Sequence, residues 1–330
     1  MTFRLGTRAS ALALAQSRMV ADALARASGQ DVELVQITTA GDRSTAPVAQ
    51  LGVGVFVSAL RDALVAKDVD LAVHSYKDLP TAPADGLVIA ATPEREDPRD
   101  ALIARDGLTL TELPPGARVG TGAVRRIAQL RALGLPIETV PIRGNVDTRL
   151  RRVASGELDA VVLARAGLSR LGRAHEVTEI LDPLLMLPAP AQGVLAVECR
   201  ADDLDLFDAL RALDHGPTRA AVDAERALLA TLEAGCSAPV AGLAETAGDR
   251  WLSGPAQVPA RDDRWLSGLA QVPARDDGEI YLRGAVLSPD GRVAFRLSRT
   301  GTLAEASTIG RLLAEDLLGA GANEVLGVQQ

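Results

Sequence analysis

At 330 residues and a formal net charge of −8, the chain is long enough for two or three domains and has the wrong sign for a nucleic-acid binder. Nearly half of it, 47%, is apolar and only 2% aromatic, so its cores are built from Ala, Val and Leu. Two cysteines, Cys199 and Cys236, exclude a disulfide scaffold, and no apolar run reaches the ~18 residues of a membrane helix.

The first residues have the outline of a signal peptide, with Arg4 and Arg8 ahead of an Ala/Leu run. Gln16, Ser17 and Arg18 cut that run short, and Leu12, Ala15, Met19 and Ala23 continue on one helical face. The expected compartment is therefore the cytoplasm. Residues 2–6 read as a strand and 10–28 as a helix capped by Ser10. Residues 32–37 alternate as a strand, 38–52 are rich in turn formers, 56–67 form a helix, and 70–74 a short strand. This β-α-β-α-β order predicts a mostly parallel sheet covered by helices.

The order recurs downstream, with strands at 118–120, 137–141 and 159–163 and helices at 123–133 and 146–155. A charged, turn-prone segment, Glu94-Arg95-Glu96-Asp97-Pro98-Arg99-Asp100, separates the two units as a hinge would. Pro188-Ala189-Pro190-Ala191-Gln192-Gly193 makes a second break, after which 194–199 reads as a strand returning to the first unit. A third unit opens near Pro217 with a helix over 218–233. Gly235 supplies its left-handed stop and Pro239 prevents it from resuming, which leaves Cys236 in a tight loop past a helix end. That end of a helix does not acidify a thiol, so a reactive Cys236 needs a strong electrophile as partner. One tandem repeat exists: residues 249–262 recur as 263–276 with a single change, Pro255 against Leu269. Two copies do not make a solenoid, and they read as a duplication in a surface loop without a functional role.

The chemistry concentrates where strands turn into helices. Gly120-Thr121-Gly122-Ala123-Val124-Arg125-Arg126 puts backbone N–H groups and two guanidiniums at a helix start, a setting for an anion. Arg143-Gly144-Asn145-Val146-Asp147-Thr148-Arg149 repeats the device at the next strand end, on the sheet edge where α/β proteins bind ligands. Arg151 and Arg152, deeper in that helix, fit a solvated face. The planar fork of Arg suits carboxylates. The first unit adds Gly6-Thr7-Arg8-Ala9-Ser10 and His74-Ser75-Tyr76-Lys77-Asp78. Asp78 is the odd acid among these bases, and a fixed carboxylate there suits a developing cation. No His/Cys spacing for a metal appears, nor a phosphate-binding Gly motif. A non-catalytic two-lobed receptor for a small polycarboxylate is the rival reading; it leaves Cys236 and Asp78 unused.

Five motifs then fall in one order: Thr7-Arg8-x-Ser10; Val73-His74-Ser75-x-Lys77-Asp78-x-Pro80; Glu94-Arg95-Glu96-Asp97-Pro98-Arg99-Asp100-Ala101; Arg143-Gly144-Asn145-Val146-x-Thr148-Arg149-Leu150; and Gly235-Cys236-x-x-Pro239. Together they resemble the hydroxymethylbilane synthase (porphobilinogen deaminase) family over almost the whole chain except the tandem repeat. The resemblance implies two periplasmic-binding-protein-like α/β domains with mixed sheets, spanning 1–94 with 194–213 and 99–188. A smaller α+β domain, 217–330, completes the fold. It implies a dipyrromethane cofactor joined to Cys236 through a thioether. The cofactor would be held by Arg8, Ser10, Lys77, Thr121, Gly122, Ala123, Arg125, Arg126, Arg143 and Arg149. Substrate would meet Arg8, Arg143, Arg149 and Arg170, and Asp78 would be the catalytic aspartate. It further implies a monomer acting on porphobilinogen without nucleic-acid or membrane partners. The chain departs from the family pattern where Gly122 and Ala123 replace the usual hydroxyl residues, and where Gly52-Val53-Gly54 lacks a frequent Lys.

Overall fold

The computed structural model of the chain describes residues 2–38, 57–234, 238–247, 249 and 278–327. Cys236 with its neighbours 235 and 237, Gly52-Val53-Gly54, and the tandem repeat apart from Asp249 lie outside the described residues.

The chain opens with β1 (Phe3–Thr7), α1 (Ala11–Ser28) and β2 (Val32–Gln36). Ser10 caps α1 as expected, its Oγ accepting from the Ala13 N–H, and Gly29 closes the helix in the left-handed conformation at φ 69°. Helix α2 (Ser58–Val65) and strand β3 (Leu71–Ser75) follow, then β4 (Leu87–Ala91). The chain crosses to a second sheet as β5 (Asp100–Ala104), β6 (Arg118–Thr121), α3 (Val124–Ala132), β7 (Glu138–Pro141), α4 (Val146–Ala154), β8 (Ala160–Ala164), α5 (Arg165–Arg170) and β9 (Glu179–Ile180). It returns as β10 (Leu195–Arg200).

The two sheets share one topology. The first has order β2-β1-β3-β10-β4 and the second β7-β6-β8-β5-β9. In each, four strands run the same way, and the strand delivered by a crossing, β10 or β5, inserts antiparallel between the three that pair in parallel and the edge strand. The sheets are therefore mixed, as the resemblance implies, and not mostly parallel as the β-α-β order predicts. Strands β4, β5 and β9 escape periodicity: β5 is apolar on both faces after Asp100, and β9 is only two residues long. In both sheets the order reverses beside the first strand, so the carboxyl ends of β1 and β3, and of β6 and β8, form the crevice typical of such sheets.

The two crossings touch each other. Glu96 N–H donates to the Gly193 carbonyl, and a Cβ on Gly193 would lie 2.3 Å from the Glu96 carbonyl oxygen, so only glycine fits. Helix α6 (Leu204–Arg211) then packs on the first sheet, and α7 (Gly216–Thr231) leads to the third. That sheet is antiparallel, β11 (Val240–Thr246), β12 (Glu279–Leu287) and β13 (Ala294–Thr302), with α7 and α8 (Ala306–Leu317) burying Leu228, Leu282, Leu313 and Leu317 on one face. On the other face Ala128 of α3 packs against Ala241, Leu243 and Ala285. The third unit thus touches the helix that carries Arg125 and Arg126.

The end of α7 corrects the sequence reading. The helix stops at Thr231, and Glu233, left-handed at φ 51°, already makes the stop ahead of Gly235, which lies outside the described residues. Glu233 N–H bonds the Ala230 carbonyl and Ala234 N–H the Leu229 carbonyl, the paired bonds of a Schellman stop. The loop toward Cys236 therefore begins two residues sooner. At the other end His215 caps the helix by accepting from the Thr218 N–H, a role rarely given to His.

Buried Glu225 of α7 joins the parts. It pairs with Arg95 at 2.7 Å and accepts from the backbone N–H groups of Ala191 and Ala244, so it grips both crossings and the third sheet at once. A buried carboxylate that saturated is tolerated because each lone pair is matched.

Candidate active site

Lys77, Arg125, Arg126, Arg143 and Arg149 gather at the carboxyl edge of the two sheets. Parallel β6 runs into α3 and its neighbour β7 into α4, so both helix starts lie on that edge. Asn145 caps α4, accepting from Thr148 N–H at 2.9 Å. Gly122 carries no Cβ because the Ile142 carbonyl oxygen would lie 2.6 Å from it. This close approach gives the departure from the family's hydroxyl residue a steric cause within this chain.

Arg125 and Arg126 are 5% and 4% exposed, and both turn onto Asp100, itself fully buried. Arg125 Nη1 donates to Asp100 Oδ2 at 2.8 Å; Arg126 makes a bidentate pair through Nε at 3.0 Å and Nη2 at 2.8 Å. Burial by itself raises a carboxyl pKa, but the two guanidiniums outweigh it and hold Asp100 well below the ordinary range. Gln192 completes the cluster. Its Nε2 donates to Asp100 at 2.6 Å and to the Pro98 carbonyl at 2.7 Å, while its Oε1 accepts from Arg125 Nη2 at 3.0 Å and Lys77 Nζ at 3.1 Å. One side chain on the returning crossing thus links Lys77 of the first sheet to the Arg pair of the second.

The sequence reading missed Asp100 and Gln192. Their signals are faint: an acid opening an apolar strand, and a lone amide in a Pro/Ala/Gly break. The cluster also refines the expected roles of Arg125 and Arg126, since their primary partner is Asp100. One carboxylate against two guanidiniums and Lys77 leaves the cluster cationic. Burial first, then Arg126 and Arg125, pull the Lys77 pKa down to about 8 against the pull of Asp78 and Asp100. Arg149 is lowered to about 10 by burial and by its neighbours Arg126 and Arg143, so these arginines share one field. Arg149 Nε donates to the Gly144 carbonyl, and buried Arg143 Nη1 finds no partner among the described residues.

The other expected residues separate into groups. Asp78 is exposed on the single turn Tyr76–Asp78 that follows β3, beside Lys77. Arg8 is partly buried after β1. Ser10 Oγ accepts the α1 cap bond, which leaves its O–H proton to donate, whereas Thr121 is fully buried. Ala123 is half-buried at the start of α3 and has no side-chain polar group to offer. Arg170 sits at the crossings: Nη2 donates to the Gly193 carbonyl, its buried Nε is unpartnered among the described residues, and burial lowers its pKa to about 10. It also lines a cavity of about 1030 Å³ together with Met19, Arg26, Glu94 and His215. Arg152 turns away to Glu157, as a solvated-face residue does.

A cationic cluster at the carboxyl ends of two mixed sheets, with Asp78 exposed beside Lys77, is the setting of an α/β protein suited to anions. Comparison with known proteins narrows the class. The family model "Porphobilinogen deaminase, dipyromethane cofactor binding domain" matches residues 3–208, and "Porphobilinogen deaminase, C-terminal domain" matches 220–262. Porphobilinogen deaminase of Nocardia farcinica is 57% identical over 323 residues, 98% of this chain and 87% of the relative. That of Mycobacterium tuberculosis is 54% identical, covering 98% of both chains. Porphobilinogen deaminase 1 of Streptomyces coelicolor is also 54% identical, over 98% of this chain and 97% of its own. Among solved structures, the methionine binding protein MetQ aligns over 64% of this chain and 88% of its own at 14% identity and a TM-score of 0.40, too distant to carry function.

The chain belongs to the porphobilinogen deaminase family. It is an enzyme, a transferase of tetrapyrrole biosynthesis that works with a dipyrromethane cofactor, and the receptor reading is not favoured. The residues present fit that group. A dipyrromethane with acetate and propionate arms is a polycarboxylate, and the crevice offers a surplus of cations with a buried Arg143 donor left over.

Proposed function

We propose that the cationic crevice holds the carboxylate arms while Asp78 stabilises the cation that forms when ammonia leaves porphobilinogen. The reaction joins four porphobilinogens head to tail, then hydrolyses the chain to hydroxymethylbilane. The dipyrromethane, carried by Cys236 through a thioether, supplies the pyrrole end at which the chain grows. Arg143 and Arg149 bind arms directly, with Arg8 and Arg170 meeting the substrate side. Arg125 and Arg126, neutralised in part by Asp100, present their remaining N–H groups, and Lys77 adds charge beside Asp78. The observation that carries this reading is the surplus of buried cation around a single carboxylate, Asp100, with Arg143 Nη1 unpartnered among the described residues. The chain works as three domains, 1–94 with 194–213, 99–188 and 217–330, in a cytoplasmic monomer. No described helix is long and apolar enough to cross a membrane.

The test compares Arg143→Leu with Arg152→Leu. A charged hydrogen bond is worth about 1.5–3 kcal/mol, so Arg143→Leu should weaken cofactor assembly or elongation roughly ten- to a hundredfold. Arg152→Leu should change little, because its guanidinium is spent on Glu157. Equal effects would favour a solvated-face role for both. Arg126→Leu is a poorer probe: it also strips a partner from buried Asp100.

A second expectation concerns pH. Lys77 loses its proton near pH 8, and a bound carboxylate favours the charged form. Affinity for a polycarboxylate should therefore fall as pH rises through about 8. Lys77→Arg, which stays charged, should flatten that step in a calorimetric titration; a step of unchanged size in the variant would assign it to another group.

A further inference from the structure

We propose that Arg226 is a positioning residue for the Asp78 turn, so that the setting of the catalytic carboxylate depends on the helix that leads into the Cys236 loop. The proposal rests on the reading of Asp78 given above.

The turn that presents Asp78 is short. Residues 76–78 form one turn, closed by a single bond from Leu79 N–H to the Tyr76 carbonyl at 3.1 Å. Tyr76 N–H bonds the Val194 carbonyl at 3.0 Å, and Tyr76 and Leu79 are buried against Val194, Ala196 and Val222. Beyond Asp78 the carbonyls of Leu79 and Pro80 need donors, and Pro80 brings no N–H of its own to extend a ladder.

Arg226 of α7 supplies them. Its Nη1 donates to the Leu79 carbonyl at 3.2 Å and its Nη2 donates to the Pro80 carbonyl. Its guanidinium carbon lies 4.6 Å from the Tyr76 ring centroid, in cation–π range. One planar group thus brackets Lys77-Asp78, touching the residue before the pair and the two residues after it. Only a fork that stacks and donates twice can do all three; a lysine ammonium cannot. The helix that carries Arg226 is itself fixed, because the adjacent Glu225 grips Arg95, Ala191 and Ala244. Five residues after Arg226 that helix ends, and the chain turns toward Cys236. The growing end and the carboxylate that serves it are then registered by the same helix.

The test uses cofactor-loaded enzyme. Arg226→Ala should lower kcat by about ten- to a hundredfold, the effect of a misplacement near 1 Å, with KM nearly unchanged. Amide exchange at residues 77–79 should quicken while the Glu225 end of α7 keeps its protection, and Arg226→Lys should restore only part of the rate. The deciding measurement is a double-mutant cycle on single-turnover ammonia release. In an Asp78→Asn background, Arg226→Ala should cost less than about twofold more, because the group it positions is already gone. If the two losses multiply instead, Arg226 acts elsewhere and the proposal fails while Asp78 keeps its role. If Asp78→Asn turns over like wild type, the reading of Asp78 fails and takes this one with it. Should Arg226→Ala not fold, Arg226→Lys and Arg226→Gln carry the same cycle.

Discussion

Asp78→Asn should slow ammonia release in a single turnover by on the order of a hundred- to a thousandfold, with fold and carboxylate binding preserved. The aminomethyl group of porphobilinogen is already an ammonium near neutral pH, so ammonia can leave without a separate general acid. The C–N pair departs with ammonia, and positive charge spreads over the methylene and the pyrrole nitrogen. Coupling to the next pyrrole passes through a second cation, which then loses a proton. Lys77, the neighbour of Asp78, lies in the field of Arg125 and Arg126, and all three are cations, the wrong sign for either species. Asp78 is exposed, whereas Asp100 is fully buried and committed to Arg125 and Arg126. Asn keeps the shape and hydrogen bonding but removes the charge. Asp78→Glu keeps the charge on a longer arm and should retain part of the rate. Turnover of the Asn variant at the wild-type rate would make Asp78 structural.

Cys236→Ala should abolish activity outright if, as proposed, the cofactor is attached there, and the apoprotein should still fold. The alternative thiol is unfit. Cys199 is fully buried on β10 within the core of the first sheet, and burial pushes its pKa up to about 11. An inert, inaccessible thiol does not accept an electrophile. The stop of α7 is made by Glu233 and Ala234 through the backbone, so it does not depend on the cysteine side chain. Circular dichroism and thermal unfolding should accordingly match those of wild type without its cofactor. Retained activity in Cys236→Ala would remove the thioether from the account.

What could be read from the sequence followed from local rules. Ser10 before an amphipathic run gave the start of α1, and the strand-to-helix turns at Thr121 and Arg143 gave two neighbouring helix starts on one sheet edge. The return of 194–199 to the first sheet was also legible, as an apolar run after a Pro/Gly break. What depended on tertiary pairing was hidden. Asp100 belongs to a charged stretch in sequence and to a buried ion cluster in space, and nothing local distinguishes the two. Gln192 matters because the returning crossing carries it to Lys77, more than a hundred residues away along the chain. Glu233 takes a left-handed conformation two residues ahead of the obvious glycine, since packing of Leu229 and Ala234 into the third core ends the helix first. Arg226 carries no local signal in the sequence; its contacts across the fold single it out.

The central claim, that polypyrrole assembly is anchored on Cys236, is tested most directly by the intact mass of the purified protein followed by peptide mapping. The expected result is a mass excess equal to a dipyrromethane, located on the peptide that contains Cys236 and absent from Cys236→Ala. A chain at its bare sequence mass that nonetheless turns over porphobilinogen, or an adduct mapped to Cys199, would contradict it.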